Sequence, residues 1–300
     1  MTNERGLAGL KGLLRRAAPV LAVVAVLVVV WYAAAVAMNI GKVRDGFERE
    51  ETPYTTAELI AASLNDERPL LPAPHQIVGA FVDSVFNYAP DSPRSLLYHS
   101  AVTLSAAALG FLIGGAFGIL LAIPIVHLRV LERSLMPWII CSQMVPILAL
   151  APMIIVVLGA IGLHGLVPKA IISASLCFFP VTIGMVKGLG SADPISRDLM
   201  RTWSASTAQT FRKLRWPAAT PFLFASLKVA VTVALVGAIV GELPTGAQAG
   251  LGARLLAGSY YGQTVQIWAA LLAAALLAAS LVGLTGCVER SASKAMGARP

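Results

Sequence analysis

Charge is scarce in this chain. Of its 300 residues only 13% are Asp, Glu, Lys or Arg, against 57% hydrophobic, and the mean hydropathy is +0.77. That composition excludes a soluble domain of ordinary make-up and indicates a polytopic membrane protein. Cysteine is scarce too. Cys141, Cys177 and Cys287 lie inside apolar runs without CxxC spacing or clustered His, which argues against a disulfide framework or metal site and leaves them as small hydrophobes. His75, His99, His127 and His164 are scattered, and neither H-E-x-x-H, G-x-S-x-G nor paired carboxylates at membrane depth occur, so an intramembrane enzyme would lack its machinery. A G-x4-G-K-[ST] phosphate loop is also missing, so energy from ATP would have to come from another polypeptide. The net charge of +8 does not point to nucleic acid, because the Lys and Arg residues punctuate the ends of apolar runs as orientation signals do.

The abundant residues are grouped into windows of about 20 apolar positions. They cover 17–38, 100–127, 135–159, 165–187, 217–241 and 264–287, which predicts an all-α transmembrane bundle of about six spans. The first follows Arg5, Lys11, Arg15 and Arg16; it exceeds a signal-peptide core and has no clear A-x-A cleavage site after it, so a retained helix is expected. An even span count puts both termini on one side. Arg129 and Arg133, the six basic residues of 187–216, and Arg290, Lys294 and Arg299 in the tail mark that side as cytoplasmic, N-in and C-in. The opposite connections agree: 159–165 has no Lys or Arg, 242–263 has only Arg254, and 39–99 carries nine acids against five bases. The layout expected is a basic tail and first helix over 1–38, an external segment over 39–99, a core over 100–287 with a cytoplasmic segment at 194–215, and a tail over 288–300. Within the external segment, Thr55-x-x-Glu58 reads as a capping box opening a short amphipathic helix, and LPAP at 71–74 as extended.

Gly110, Gly114 and Gly118 line one face of the second span, where backbones can approach closely. Pro124, Pro146, Pro152 and Pro180 each remove a helix hydrogen bond, tolerated in lipid only where protein or water satisfies the freed carbonyl. Such breaks suit a bundle lining a cavity. Inward-facing polar candidates are Gln143, Lys187, Lys228, Thr232 and Glu242. The two lysines read as snorkelling side chains near cytoplasmic ends. Glu242 is open to two readings, a solvated end residue or a gate residue on the path.

The segment RDLMRTWSASTAQTFRKLRWPAATPF, 197–222, is polar and basic between two apolar runs. Pro194 stands where a helix can begin, Ile195, Leu199 and Trp203 form one apolar stripe, and a second short piece carries Phe211 and Leu214. It reads either as a helix at the lipid headgroups or as a docking helix for a cytoplasmic partner. The residues resemble the inner-membrane permease subunits of bacterial ABC importers, in the group serving nitrate, sulfonate, taurine and pyrimidine-type substrates. Asp198, Leu199 and Met200 fall at that family's E-A-A positions, Ser204 at its loop glycine, Phe211 at its aromatic, and Trp216-Pro217 before the next span. LPAP resembles its LPSP, His99 with 103–104 and 110–111 resembles its H-x3-TL-x5-GF, and Glu242 with Gly250-Leu251-Gly252 resembles its E-x(n)-GLG. The chain departs from the pattern at Ala106, Leu199, Met200 and Ser204.

The resemblance implies a multi-pass protein of the bacterial inner membrane with a type I importer fold, working as a homodimer. It implies two cytoplasmic ABC ATPase subunits held at Asp198, Leu199, Met200, Trp203, Ser204 and Phe211, an external binding protein, and surrounding lipid. No cofactor is expected on this chain, ATP with Mg being used by the partner ATPase. Gln143, Thr232 and Glu242 are the candidates for the translocation path, and alternating access is the mechanism expected. A proton-coupled secondary transporter is the nearer rival, but the spans lack a relay of buried Asp or Glu. Residues 244–268 resemble the members associated with pyrimidine-type compounds, and Tyr260-Tyr261 read either as an interfacial belt or as a platform for a flat ring.

Overall fold

Within lipid, a backbone run of some 20 residues must satisfy its own hydrogen bonds, and the helix does this within one segment. A computed structural model describes residues 2–244 and 247–295, and the side chains of 18–294 among them. Arg299, residues 245–246 of the external segment and the side chains of Arg5, Lys11, Arg15 and Arg16 lie outside the described residues. Among the described residues there is no strand. The chain divides into two compact units, residues 1–87 with 257–269, and residues 88–256 with 270–300.

In the first unit, α1 (Thr2–Arg49) extends well past its apolar window, and Val20, Val23, Val26 and Leu27 along it are exposed, as suits a helix surrounded by lipid. Thr55 caps α2 (Thr56–Leu64): its side chain accepts from the Glu58 amide while the Glu58 carboxylate accepts from the Thr55 amide at 2.8 Å. Donation to that carboxylate from the Thr55 amide, and from the Thr55 hydroxyl, holds the exposed Glu58 carboxyl below its ordinary range. LPAP ends in an extended Ala73 with Pro74 as first residue of α3 (Pro74–Phe86). The strap between α2 and α3 is fastened to α1 by Asn39, fully buried, which donates to the Ser63 and Leu71 carbonyls and accepts from the Leu70 and Leu71 amides. Trp31 donates to the Pro72 carbonyl, and Lys42 pairs with Asp66 at 2.6 Å.

The second unit is built on three packed helices, α4 (Leu96–His127), α7 (Leu166–Gly190) and α10 (Trp216–Glu242). Gly110, Gly114 and Gly118 of α4 face Ser173, Cys177 and Val181 of α7, so closely that a Cβ at any of the three would strike α7. The Cys177 thiol, buried in this seam, donates to the Gly110 carbonyl. The other side of α7 meets α10 in the same way: Gly184 lies against Ser226, Gly188 against Ala219, and Gly237 of α10 against Ser173. The Ser173 hydroxyl donates to the Ala234 carbonyl at 2.7 Å, giving a polar group inside this seam its partner.

The run expected as one span over 135–159 departs from that reading. It is two helices, α5 (Arg129–Ser142) and α6 (Ile147–Ala160), bent by 96° across 143–146. Each arm, 14 residues and about 21 Å long, is too short to cross a bilayer alone. Gln143 caps the first arm and Pro146, with no N–H to donate, caps the second. Pro124, Pro152 and Pro180 stay inside α4, α6 and α7. Five helices among the described residues are long and apolar enough to span, and the bent pair would make a sixth.

After α7 come α8 (Pro194–Thr202) and a one-turn α9 (Thr207–Thr210), which passes through a π-helical turn (Phe211–Arg215) into α10 without a break. The second short piece of the polar segment is therefore the foot of a span. α11 (Leu251–Tyr260) and α12 (Thr264–Ala295) each contribute residues to both units. Lys228 of α10 is ion-paired with Glu289 of α12, where the sequence had suggested a snorkelling lysine.

Candidate functional site

The polar segment, and the end of α10 with residues 249–252, are two places in the second unit where polar side chains and backbone groups meet. In the first, Asp193 N-caps α8 by accepting from the Ser196 amide, and Pro194 takes the first helical position. The C-terminus is a Schellman closure, with the Ala205 amide donating to the Met200 carbonyl and the Ser204 amide to the Arg201 carbonyl, both at 2.9 Å. Ser204 is at φ +50°, a left-handed conformation usually given to glycine at this position. It is also the position at which the resemblance puts a loop glycine.

Capped at both ends, α8 buries none of its residues. Ile195 is 78% exposed, Leu199 47% and Trp203 71%, so the stripe is present and faces outward. Asp198 is exposed with Arg201 at 3.4 Å, and Met200 is half-buried. Phe211 is not on the stripe. It packs between His127 and Trp216 against the core of α4, α7 and α10.

In the second place, three helices converge on one turn. Glu242, at the end of α10, is fully buried and therefore no solvated end residue. Its carboxylate accepts from the Gly252 amide at 2.8 Å and from the Thr103 hydroxyl of α4 at 2.9 Å, while Thr103 accepts from the Leu251 amide at 2.8 Å. His99, one turn back on α4, accepts from the Gly250 amide at Nδ1 and donates from Nε2 to the Pro93 carbonyl, which fixes its tautomer. Lys169 of α7 donates to the Ala249 carbonyl at 3.4 Å. Gly250 is at φ +123° and Gly252 lies against the Ile239 carbonyl; a Cβ at either would run into Glu242. Glycine at 250 and 252 thus leaves room for the buried carboxylate to take the Gly252 amide while Thr103 takes that of Leu251.

Sequence reading found Glu242, Gly250 and Gly252 but not that His99, Thr103 and Lys169 meet them; the i, i+4 spacing of His99 and Thr103 was the available signal. Gln143 is exposed at the α5–α6 bend, apart from both places. Thr232 is half-buried in α10 and donates to the Lys228 carbonyl. Among the described residues no three His, Cys, Asp or Glu side chains cluster to hold a metal.

Residues 114–294 match the family model described as binding-protein-dependent transport system inner membrane component. Riboflavin transport system permease protein RibX of Chloroflexus aurantiacus is 34% identical over 224 residues, covering 74% of this chain and 78% of that protein. Formylaminopyrimidine transport permease protein ThiX of Halalkalibacterium halodurans is 32% identical over 193 residues, 64% of this chain and 72% of that protein. Putative aliphatic sulfonates transport permease protein SsuC of Bacillus subtilis is 26% identical over 225 residues, 75% and 78%.

Proposed function

The chain belongs to the family of inner membrane components of binding-protein-dependent transport systems, as a multi-pass permease subunit of an ABC importer, and we propose that a homodimer of it forms the path for a flat nitrogen heterocycle of pyrimidine type. An external binding protein delivers that solute, and two ATPase subunits using ATP with Mg drive its passage. The observation that carries the energetic half of this reading is the stripe on α8: three large apolar side chains held outward on a helix with both ends capped, in a loop that buries none of them. Isolated exposed apolar residues are ordinary, but three on one face of a rigid helix make a docking ridge. ATP-driven closure of the partner dimer would move this ridge, and the spans would rock about the shared seam of α4, α7 and α10.

Substrate class is supported by the relatives' names. The two more similar ones are named for riboflavin and formylaminopyrimidine, compounds that share a pyrimidine-type ring, and the less similar one for aliphatic sulfonates. Tyr260 and Tyr261, exposed at the end of α11, offer aromatic faces of the kind such a ring stacks on. In this reading Glu242 positions the 249–252 turn beside the path rather than touching the solute.

The decisive variant combines Leu199→Asp with Trp203→Ala in the assembled transporter. ATPase retention through purification should be lost and ATP-dependent uptake should fall at least about tenfold, as for removal of an interface anchor, with membrane insertion unchanged. Full retention and uptake in that variant would remove α8 as the docking element.

A further inference from the structure

Arg197 and Arg201 lie two residues on from Ile195 and Leu199, about 200° around an α-helix, so α8 has a basic face opposite its apolar one. That face lines a cleft of about 370 Å³ with Asp198, Thr210, His127 at the end of α4 and Arg215 on the π-helical turn. Three guanidiniums against one carboxylate leave a formal excess of two positive charges. Asp198 is committed to Arg201, both largely exposed, and neither Arg197 nor Arg215 has a carboxylate partner among the described residues. Both are half-buried, which makes an unpaired guanidinium costly and an incoming anion favourable. His127 donates from Nδ1 to the Ile123 carbonyl at 2.7 Å, so its ring is held in place at the rim.

The rest of the lining, His127, Thr210 and Arg215, comes from the ends of two candidate spans, Leu96–His127 and Thr207–Glu242, where lipid headgroups lie. Planar guanidiniums converging from separate elements suit the oxygens of a phosphate better than a single carboxylate. We propose that this cleft is a phosphate-binding site, taking the phosphate of an anionic phospholipid headgroup or a free phosphate group, and that its occupant wedges between α8 and the feet of α4 and α10. The binding itself stands apart from the transport reading; only its effect on α8 movement rests on α8 being the docking helix.

The test uses the full-length chain in neutral detergent. Retention of phosphatidylglycerol against phosphatidylcholine is read by native mass spectrometry, and inorganic phosphate is titrated separately with Tm as the readout. Arg197→Gln with Arg215→Gln removes the two cleft guanidiniums that lack a carboxylate partner; Arg212→Gln with Lys213→Gln removes the same charge from exposed neighbours outside it. Retention of phosphatidylglycerol should drop about tenfold or more in the cleft variant, as expected for loss of charge-assisted bonds, and stay within twofold of the parent in the neighbour variant. A phosphate-induced rise in Tm that only the cleft variant loses assigns the site to free phosphate as well as lipid; lipid retention without such a rise assigns it to the headgroup. Equal loss in both variants, equal retention in all three proteins, or no preference for phosphatidylglycerol together with no phosphate effect, each overturns the proposal.

Discussion

At the scale of single residues, two positions show how backbone geometry decides which letter is allowed. Ser204 occupies the left-handed closure of α8, which costs a non-glycine residue about 1 kcal/mol, and the hydrogen bonds to Met200 and Arg201 hold it there. Gly250 is less forgiving. Gly250→Ala should lower stability by about 2–4 kcal/mol, because a Cβ at positive φ also collides with a buried carboxylate. Gly262→Ala, at φ +65° with open space around it, should cost only about 1 kcal/mol, and thermal unfolding of both variants in one detergent separates collision from strain. Equal costs would show that Glu242 moves aside freely. Glu242 stood out in the sequence, but its burial and partners did not: Thr103 lies 139 positions away, and no local pattern reports a partner at that separation.

Elements were legible where hydropathy alone sets them. The windows at 100–127, 165–187, 217–241 and 264–287 each became a helix because lipid leaves the backbone no alternative, and the capping box at Thr55 and Glu58 is a local rule with local partners. The break at 143–146 was not separable from the other prolines, since Pro124, Pro152 and Pro180 remove the same hydrogen bond and stay helical. Surrounding structure, not the residue, chooses which one ends a helix. The glycine seam makes a prediction at this scale. Gly114→Ala places a methyl on the Cys177 sulfur and the Ala174 carbonyl and should cost about 1–3 kcal/mol, the range for overpacking, whereas Gly115→Ala, next door with nothing within 4 Å, should be neutral or stabilising by up to about 1 kcal/mol. Tm values for the pair in one membrane mimetic check this, and similar losses would mean that α4 and α7 do not meet along Gly114.

For the whole molecule the open chemical question is what passes through it. Ligand retained by the binding protein that accompanies this permease should be identified by mass spectrometry after mild extraction, and a pyrimidine-type ring is the expected result. A sulfonate or nitrate would leave family membership intact and discard the heterocycle, along with any stacking role for Tyr260 and Tyr261. The substrate class proposed rests on a likeness among relatives, because the residues that meet a solute need not obey any spacing that the fold imposes.

The unbroken run from Thr207 to Glu242 gives the molecule a push-rod. At 36 residues it is about 54 Å long, and it is anchored at one foot by Phe211 against His127 of α4 and at its tip by a carboxylate gripping the 250–252 turn. A regular helix compresses little, so displacement of the foot has to appear at the tip rather than be absorbed along the way. Slack has to come from the irregular stretch near the foot, the π-helical turn at Phe211–Arg215 and Pro221 just beyond it, which makes that stretch the place where the stiffness of the whole linkage is set.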